Sequence, residues 1–310
     1  MRNIYALDPN YTPAKKSTKK IILSVCYYIV GTVLSLAFIL PLLYMFAAST
    51  KTPDGIAHSY GTVAMFLPEF GSDSAFGLNY RIVFDNYEIW KYAINTVIYA
   101  AIIIVFNVLI NGLAGYVLAK FHFPAKGFFS FIILFLIVVP VETSILPLYS
   151  IVTELLGLNE RNGLTIVGVM LPSMISVFNI FLYTQFFSSI PKEYEEAMHI
   201  DGASRFRMFF DLVLPMSKPI VATTAVFSFI GVWNDFVWPF MMLPAREQGD
   251  TSWPLQTIQA ALSSIQDGNA SITPGQIMAA LVVTSIPIFI VYALAQKYIV
   301  KGFGTAGLKM

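Results

Sequence analysis

The chain has 310 residues, of which 56% are hydrophobic and only 12% charged, with a formal net charge of +1 and a mean hydropathy of +0.69. A soluble domain carries about 25% charged residues, so this composition does not clothe a water-exposed surface of such size. No basic stripe points to a nucleic-acid partner, and one cysteine, Cys26, excludes a disulfide framework.

The apolar residues gather in long blocks. A membrane helix needs roughly 20 of them to cross about 30 Å of hydrocarbon. Six blocks qualify, at residues 21–47, 93–119, 128–150, 164–186, 219–242 and 276–295. The predicted fold class is therefore all-α integral membrane, with six transmembrane helices. Residues 1–20 form an N-terminal tail carrying Lys15, Lys16, Lys19 and Lys20. A signal peptide competes for the first block, but its apolar run of about 26 residues exceeds the 7–15 of a signal core. Ala47-Ala48-Ser49 supplies small residues for cleavage, and the uncleaved helix is the better reading.

Residues 48–91 are a hydrophilic external segment with Pro53 and Pro68, read as loop. The third and fourth spans contain Pro140, Pro147 and Pro172 and are expected to kink. Glu142 lies beside Pro140 and is a candidate for the pathway. The fifth span carries Trp233-Asn234-Asp235. Asp235 stands about 16 residues in, hence roughly 24 Å deep at 1.5 Å per residue. An ionisable group at that depth is a candidate substrate or gate residue. Its neighbours Trp233 and Asn234 offer stacking and hydrogen bonding, or packing alone; Trp233 and Trp238 equally suit an interfacial aromatic belt. After Trp253-Pro254, the residues Leu255, Ile258, Leu262 and Ile265 share a helical face. Pro254 suits the first turn of that short external helix, which either meets a partner or simply packs. Residues 297–310 form the C-terminal tail.

Lysine and arginine set the orientation. With both termini cytoplasmic, fourteen of the nineteen fall inside and five outside, as the positive-inside rule requires. His58, His122 and His199 are scattered, without metal spacing.

The segment 187–218 is the main internal loop. Pro191 opens a helix whose first turns hold Glu193, Glu195 and Glu196, at the positive end of the dipole. Gly202 ends it. A second helix then places Phe206, Phe209, Phe210 and Val213 on one face before Leu214-Pro215. Such an element can fill a groove in a partner.

Glu196-Ala197-Met198, three residues, Gly202, nine residues and Leu212-Val213-Leu214-Pro215 resemble the EAA loop of bacterial ABC importer permeases, Glu-Ala-Ala, three residues, Gly, nine residues, Ile-x-Leu-Pro. Asp201-Gly202-Ala203 fits the fuller form, while Met198 and Leu212 depart from it conservatively. Trp233-Asn234-Asp235-Phe236, Asn95-Thr96, Leu146-Pro147-Leu148-Tyr149, Leu156-Gly157-Leu158-Asn159 and the tail from Tyr298 to Gly307 resemble sugar permeases of the maltose-system small-subunit type. The resemblance runs from about Asn86 to the C-terminus. It implies a type I ABC importer permease fold, with a core over residues 92–296, in a bacterial inner (plasma) membrane. It further implies a second homologous permease, two copies of an ABC ATPase, an extracytoplasmic sugar-binding protein and a carbohydrate cargo, an oligosaccharide by expectation. The ATPase-coupling residues it implies are Glu195, Glu196, Ala197, Asp201, Gly202, Ala203 and Pro215. There is no Gly-x-x-x-x-Gly-Lys-Ser/Thr loop. The chain is therefore expected to be no enzyme and to bind no cofactor, ATP and magnesium resting on the partner ATPase. The alternative is an ATP-independent secondary transporter or channel. Only Glu142 and Asp235 are clear intramembrane acids, a thin basis for a proton relay, and no inverted repeat is evident. An intramembrane hydrolase lacks its His-Glu-x-x-His or nucleophile–base pair.

Overall fold

The computed structural model describes residues 18–71, 74–245, 252–268 and 272–306. Most of the expected N-terminal tail, with Arg2, Lys15 and Lys16, lies outside the described residues, as do Arg246, Gly307 and Lys309. The described residues are helical and irregular, with no strand among them.

Helix α1 (Thr18–Ser49) is apolar all round past its first turn, and its side chains are exposed from Ile22 to Leu43. That pattern suits a helix facing lipid instead of a protein core. The 48–91 segment is not plain loop: short helices Pro53–Ser59 and Phe76–Arg81 lie within it. Thr52 caps the first by accepting from the Gly55 N–H. Lys51 is buried there, donating to Ser59 Oγ at 3.0 Å and the Ala64 carbonyl at 2.7 Å.

Helix α2 (Ile89–Lys120) is the mast of the bundle. Helices α3 (Lys126–Val138), α4 (Ile145–Ser150), α5 (Thr165–Ser173) and α6 (Val177–Ser188) follow it. The 187–218 loop folds as α7 (Lys192–Ile200) and α8 (Arg205–Met208), the latter running on through a wide turn at Phe209–Val213 and a last turn at Leu214–Met216. Helices α9 (Lys218–Asn234), α10 (Val237–Met242), α11 (Ile258–Gly268) and α12 (Pro274–Ala306) complete the chain. Helix α2 packs on α6, α9 and α11, and α9 packs on α12, which also carries α1. Gly115 permits the tightest of these crossings. A Cβ on it would fall 2.5 Å from Tyr183 Cβ and 3.1 Å from the Thr184 nitrogen of α6.

Among the described residues four helices are long and apolar enough to cross a membrane alone, or up to six if two bent pairs each count as one. Three expected spans are interrupted. The third, expected over 128–150, breaks at Val139-Pro140, because proline supplies no N–H to continue α3. The fourth bends by 40° between α5 and α6, two residues after Pro172. The fifth stops at Asn234, with Asp235 extended at φ −69° and ψ 118° before α10. Helix α11 begins at Ile258, so Pro254 lies outside its first turn and Leu255 off its face. Ile258 and Leu262 are buried against Val83, Ile89, Tyr92 and Trp233, so the helix packs onto its own chain. Asn95, Thr96 and Tyr99 of α2 hold the approach to it: Asn95 Nδ2 donates to the Pro254 carbonyl at 2.7 Å, Tyr99 to the Leu255 carbonyl at 2.9 Å, and Thr96 Oγ1 accepts from the Ile258 N–H.

Candidate functional site

Two places in the fold concentrate chemistry: the α7–α8 loop at the Lys120 end of the bundle, and a cavity within it.

Helix α7 forms because Pro191 stands at its N-cap and Glu193 and Glu195 occupy its first turn. It ends in a Schellman motif. The Gly202 N–H donates to the His199 carbonyl and the Ala203 N–H to the Met198 carbonyl, with Gly202 at φ +77°. An added Cβ on Gly202 would meet nothing within 4 Å, so the left-handed backbone alone requires glycine. Ser204 then caps α8 by accepting from the Arg207 N–H.

Beneath this turn lies a buried ion pair. Glu195 Oε1 is 2.9 Å from Lys120 Nζ, with the two side chains 9% and 5% exposed. Lys120 also donates to the Ile190 carbonyl at 2.6 Å, and Arg205 stands 3.9 Å from Glu195 Oε2 and 5.6 Å above the Phe121 ring. One lysine at the end of α2 therefore fastens the link between α6 and α7 and the first turn of α7. The expected four-residue apolar face of α8 is divided. Phe209 and Val213 are buried with Tyr116, Tyr183, Phe187 and Ile220, whereas Phe206 and Phe210 point outward, 5.5 Å apart ring to ring. The wide turn at Phe209–Val213 shifts the helical register, which accounts for the division. Helix 205–216 then meets α9 at 83°, lying across the base of the bundle.

Of the expected coupling residues, Glu196, Ala197, Asp201, Gly202 and Pro215 are exposed, and Glu195 and Ala203 are buried. The sequence reading missed Ile200, which is 87% exposed beside the Gly202 turn. An apolar residue standing bare in a charged helix was the signal for it. It also missed Lys120, whose only mark is its position at the end of a span.

The cavity, of about 590 Å³, is where the three interruptions meet. Val139 and Val141 flank the Pro140 break, Ser173, Ile175 and Ser176 come from the α5–α6 bend, and Asp235 comes from the α9–α10 break. Asn111 of α2, fully buried, splints the bend: its Nδ2 donates to the Met174 carbonyl at 3.2 Å and its Oδ1 accepts from the Ser176 N–H at 3.1 Å. One turn away Asn107 Oδ1 accepts from Asn179 Nδ2 at 2.8 Å, and that nitrogen also reaches Ser228 Oγ at 3.2 Å. Asn107 and Asn111, four apart in an apolar span, were the overlooked sequence signal.

Asp235 is thus brought to the cavity. Glu142 and Asn234 are exposed and outside its lining. Trp233 is a correction. It is fully buried, stacked on Phe229 at 5.5 Å, and its Nε1 donates to the Thr284 carbonyl at 3.0 Å, so it joins α9 to α12 and presents no face to a pathway. Trp238 likewise donates to the Val169 carbonyl inside the core.

Residues 111–304 match the family described as binding-protein-dependent transport system inner membrane component. The chain belongs to that family. It is a multi-pass inner-membrane permease subunit of the ABC importer type, and the family is a transport component, not an ATPase. It is 34% identical over 209 residues to the sn-glycerol-3-phosphate transport system permease protein UgpE of Pectobacterium atrosepticum, covering 67% of this chain and 70% of that one. It is 33% identical over 267 residues to the diacetylchitobiose uptake system permease protein NgcG of Streptomyces coelicolor, covering 86% and 82%. It is 32% identical over 277 residues to the probable ABC transporter permease protein YurM of Bacillus subtilis, covering 88% and 85%. Among solved structures, a chain of a bacterial ABC transporter involved in the import of the acidic polysaccharide alginate superposes with a TM-score of 0.72 at 26% identity, covering 93% of this chain and 99% of that one.

Proposed function

We propose that this permease forms half of the translocation pathway of an ATP-driven carbohydrate importer, with the cavity as its part of the pathway and the α7–α8 loop as the seat of a separate ATPase. The convergence of three helix breaks on one cavity carries the reading. Irregular backbone at membrane depth is tolerated where it lines a watered cavity, and interrupted helices at the midplane are a recurrent way to build a transport site. A second permease supplies the other wall, an extracytoplasmic binding protein delivers the sugar, and two ATPase copies hold ATP and magnesium. Both termini and the loop face the cytoplasm, in keeping with the lysine and arginine bias.

The loop suits a mechanical coupling role. Its outer surface offers Ile200, Phe206 and the bare Gly202 turn to a groove, with Glu196 beside them for a cation. Its inner surface is fastened to α2 and α6 through Lys120, so a push on α7 is passed to the helices around the cavity. The test is Gly202→Asp in the assembled importer. Aspartate is among the residues that best tolerate a left-handed backbone, so the turn survives while a charge enters the docking surface. Co-purification of the ATPase and sugar uptake are both expected to fail; wild-type values for both sink the reading.

A further inference from the structure

We propose that this chain itself carries a binding site for a neutral saccharide where its three helix breaks meet, and that the site turns away anionic sugars such as phosphate esters and uronates. The inference rests on reading the cavity as the pathway and adds the chemistry of its cargo.

Among the described residues the polar lining consists of Asn107, Ser173, Ser176, Asn179, Ser228 and Asp235, with no lysine, arginine or histidine. Phosphate and carboxylate ligands are held by charge-assisted donors, arginine above all, and the lining supplies none. It supplies acceptors instead. Asp235 brings a carboxylate. Asn179 is 3% exposed, and its Oδ1 is buried without a hydrogen-bond partner, because the amide nitrogen is the part engaged by Asn107 and Ser228. A buried acceptor left unsatisfied costs about 1–3 kcal/mol; this oxygen is closed to solvent here, and a hydroxyl donor removes the cost only when the cavity wall opens to it.

Helix ends bias the cavity the same way. Helices α3, α5 and α9 all finish beside it: Val139 and Asp235, which follow α3 and α9, and Ser173, the last residue of α5, line it. Each brings carbonyls and about half a negative charge. Two helical segments begin there, at Val141 and Val177, and Ser176 already caps the second by accepting from the Asn179 N–H. An anion would meet carbonyl ends and Asp235 together; a sugar hydroxyl would donate to them. The lining is also aromatic, with Phe178 and Phe227 at 5.9 Å and tilted by 55°. The electron-rich ring faces suit the C–H face of a pyranose. The volume of about 590 Å³ lies within the ~300–1,000 Å³ of small-molecule sites.

The experiment uses the assembled importer with Cys26→Ala and, separately, Ser228→Cys or Val232→Cys, both near-isosteric changes in the lining. Labelling of this chain by cationic and anionic thiosulfonates of matched size is followed by mass. The cationic reagent is expected to react at least about tenfold faster, and Asp235→Asn to remove most of that preference. A panel of neutral mono- to trisaccharides, diacetylchitobiose included, is then tested for protection against sn-glycerol 3-phosphate and an alginate disaccharide. Protection by a neutral member, and by neither anion, is the expected result. Faster anionic labelling, protection by either anion, or protection by no neutral saccharide overturns the inference while leaving the pathway standing. Thiols at both positions that no water-soluble reagent reaches in resting or ATP-driven importer overturn the pathway reading itself.

Discussion

Replacing Lys120 with methionine tests whether the buried ion pair is what holds the α7–α8 loop to the bundle. At 2.9 Å and an effective dielectric of about 20, the pair attracts by roughly 6 kcal/mol, most of it offset by desolvation of two nearly buried groups. Removing one partner is a different matter, since it strands the other charge. Breaking a buried pair costs about 3–5 kcal/mol. Arg205, 3.9 Å away but 55% exposed, returns about 1 kcal/mol of that to Glu195. The expected net loss for Lys120→Met is about 2–4 kcal/mol, concentrated in α7 because the rest of the core does not depend on Glu195. Amide hydrogen exchange reads it directly: protection over residues 192–200 should fall roughly 30- to 1,000-fold, while residues of α2 near Tyr99 hold theirs. Adding Glu195→Gln to Lys120→Met should restore all but about 1 kcal/mol, the residue being the lost bond to the Ile190 carbonyl. A double variant no better protected than Lys120→Met alone would refute the argument from stranded charge. So would exchange that rises evenly along the chain.

Four further outcomes follow from single contacts. Gly202→Ala should cost about 1 kcal/mol and Gly202→Asn less, because the cost is backbone strain at φ +77° and not a clash; thermal denaturation of the two variants ranks them. Gly115→Ala should be far worse than either, lowering yield and melting temperature together, since a Cβ 2.5 Å from Tyr183 Cβ forces α2 and α6 apart. Asn111→Ala strands the Met174 carbonyl and the Ser176 N–H at the helix bend, at about 1–3 kcal/mol for each; faster exchange at Ser176 and a lower melting temperature would show it. Trp233→Phe keeps the stacking on Phe229 but strands the Thr284 carbonyl and leaves a void, so about 2–4 kcal/mol of stability should go while the half-saturating sugar concentration for uptake stays unchanged.

Much of this molecule is legible one residue at a time. Long apolar blocks dictate membrane helices because hydrocarbon thickness is a length requirement, which local sequence alone can meet. The turn at Gly202 and the acidic start of α7 are equally local, set by backbone conformation and the helix dipole. The EAA spacing marked the loop for the same reason: its helix, turn and helix are contiguous in the chain. Even the kinks were announced by Pro140 and Pro172, although proline says only where a helix falters and not what the gap will face.

What only the tertiary structure decided is which interrupted and polar residues come together. Asp235, Ser176 and Val139 are far apart in sequence, and no periodicity brings their three breaks to one cavity. Trp233 and Asp235 sit two residues apart, yet one is sealed against α12 and the other turned to the cavity, because α9 ends between them. Lys120 is one more basic residue at a membrane boundary until α7 folds back over it. The Gly202 turn is written in the chain, since its causes lie within a few residues. Its attachment through Glu195 to α2 is not, because the lysine and glutamate meet only after four other helices have been placed between them in sequence and packed aside in space.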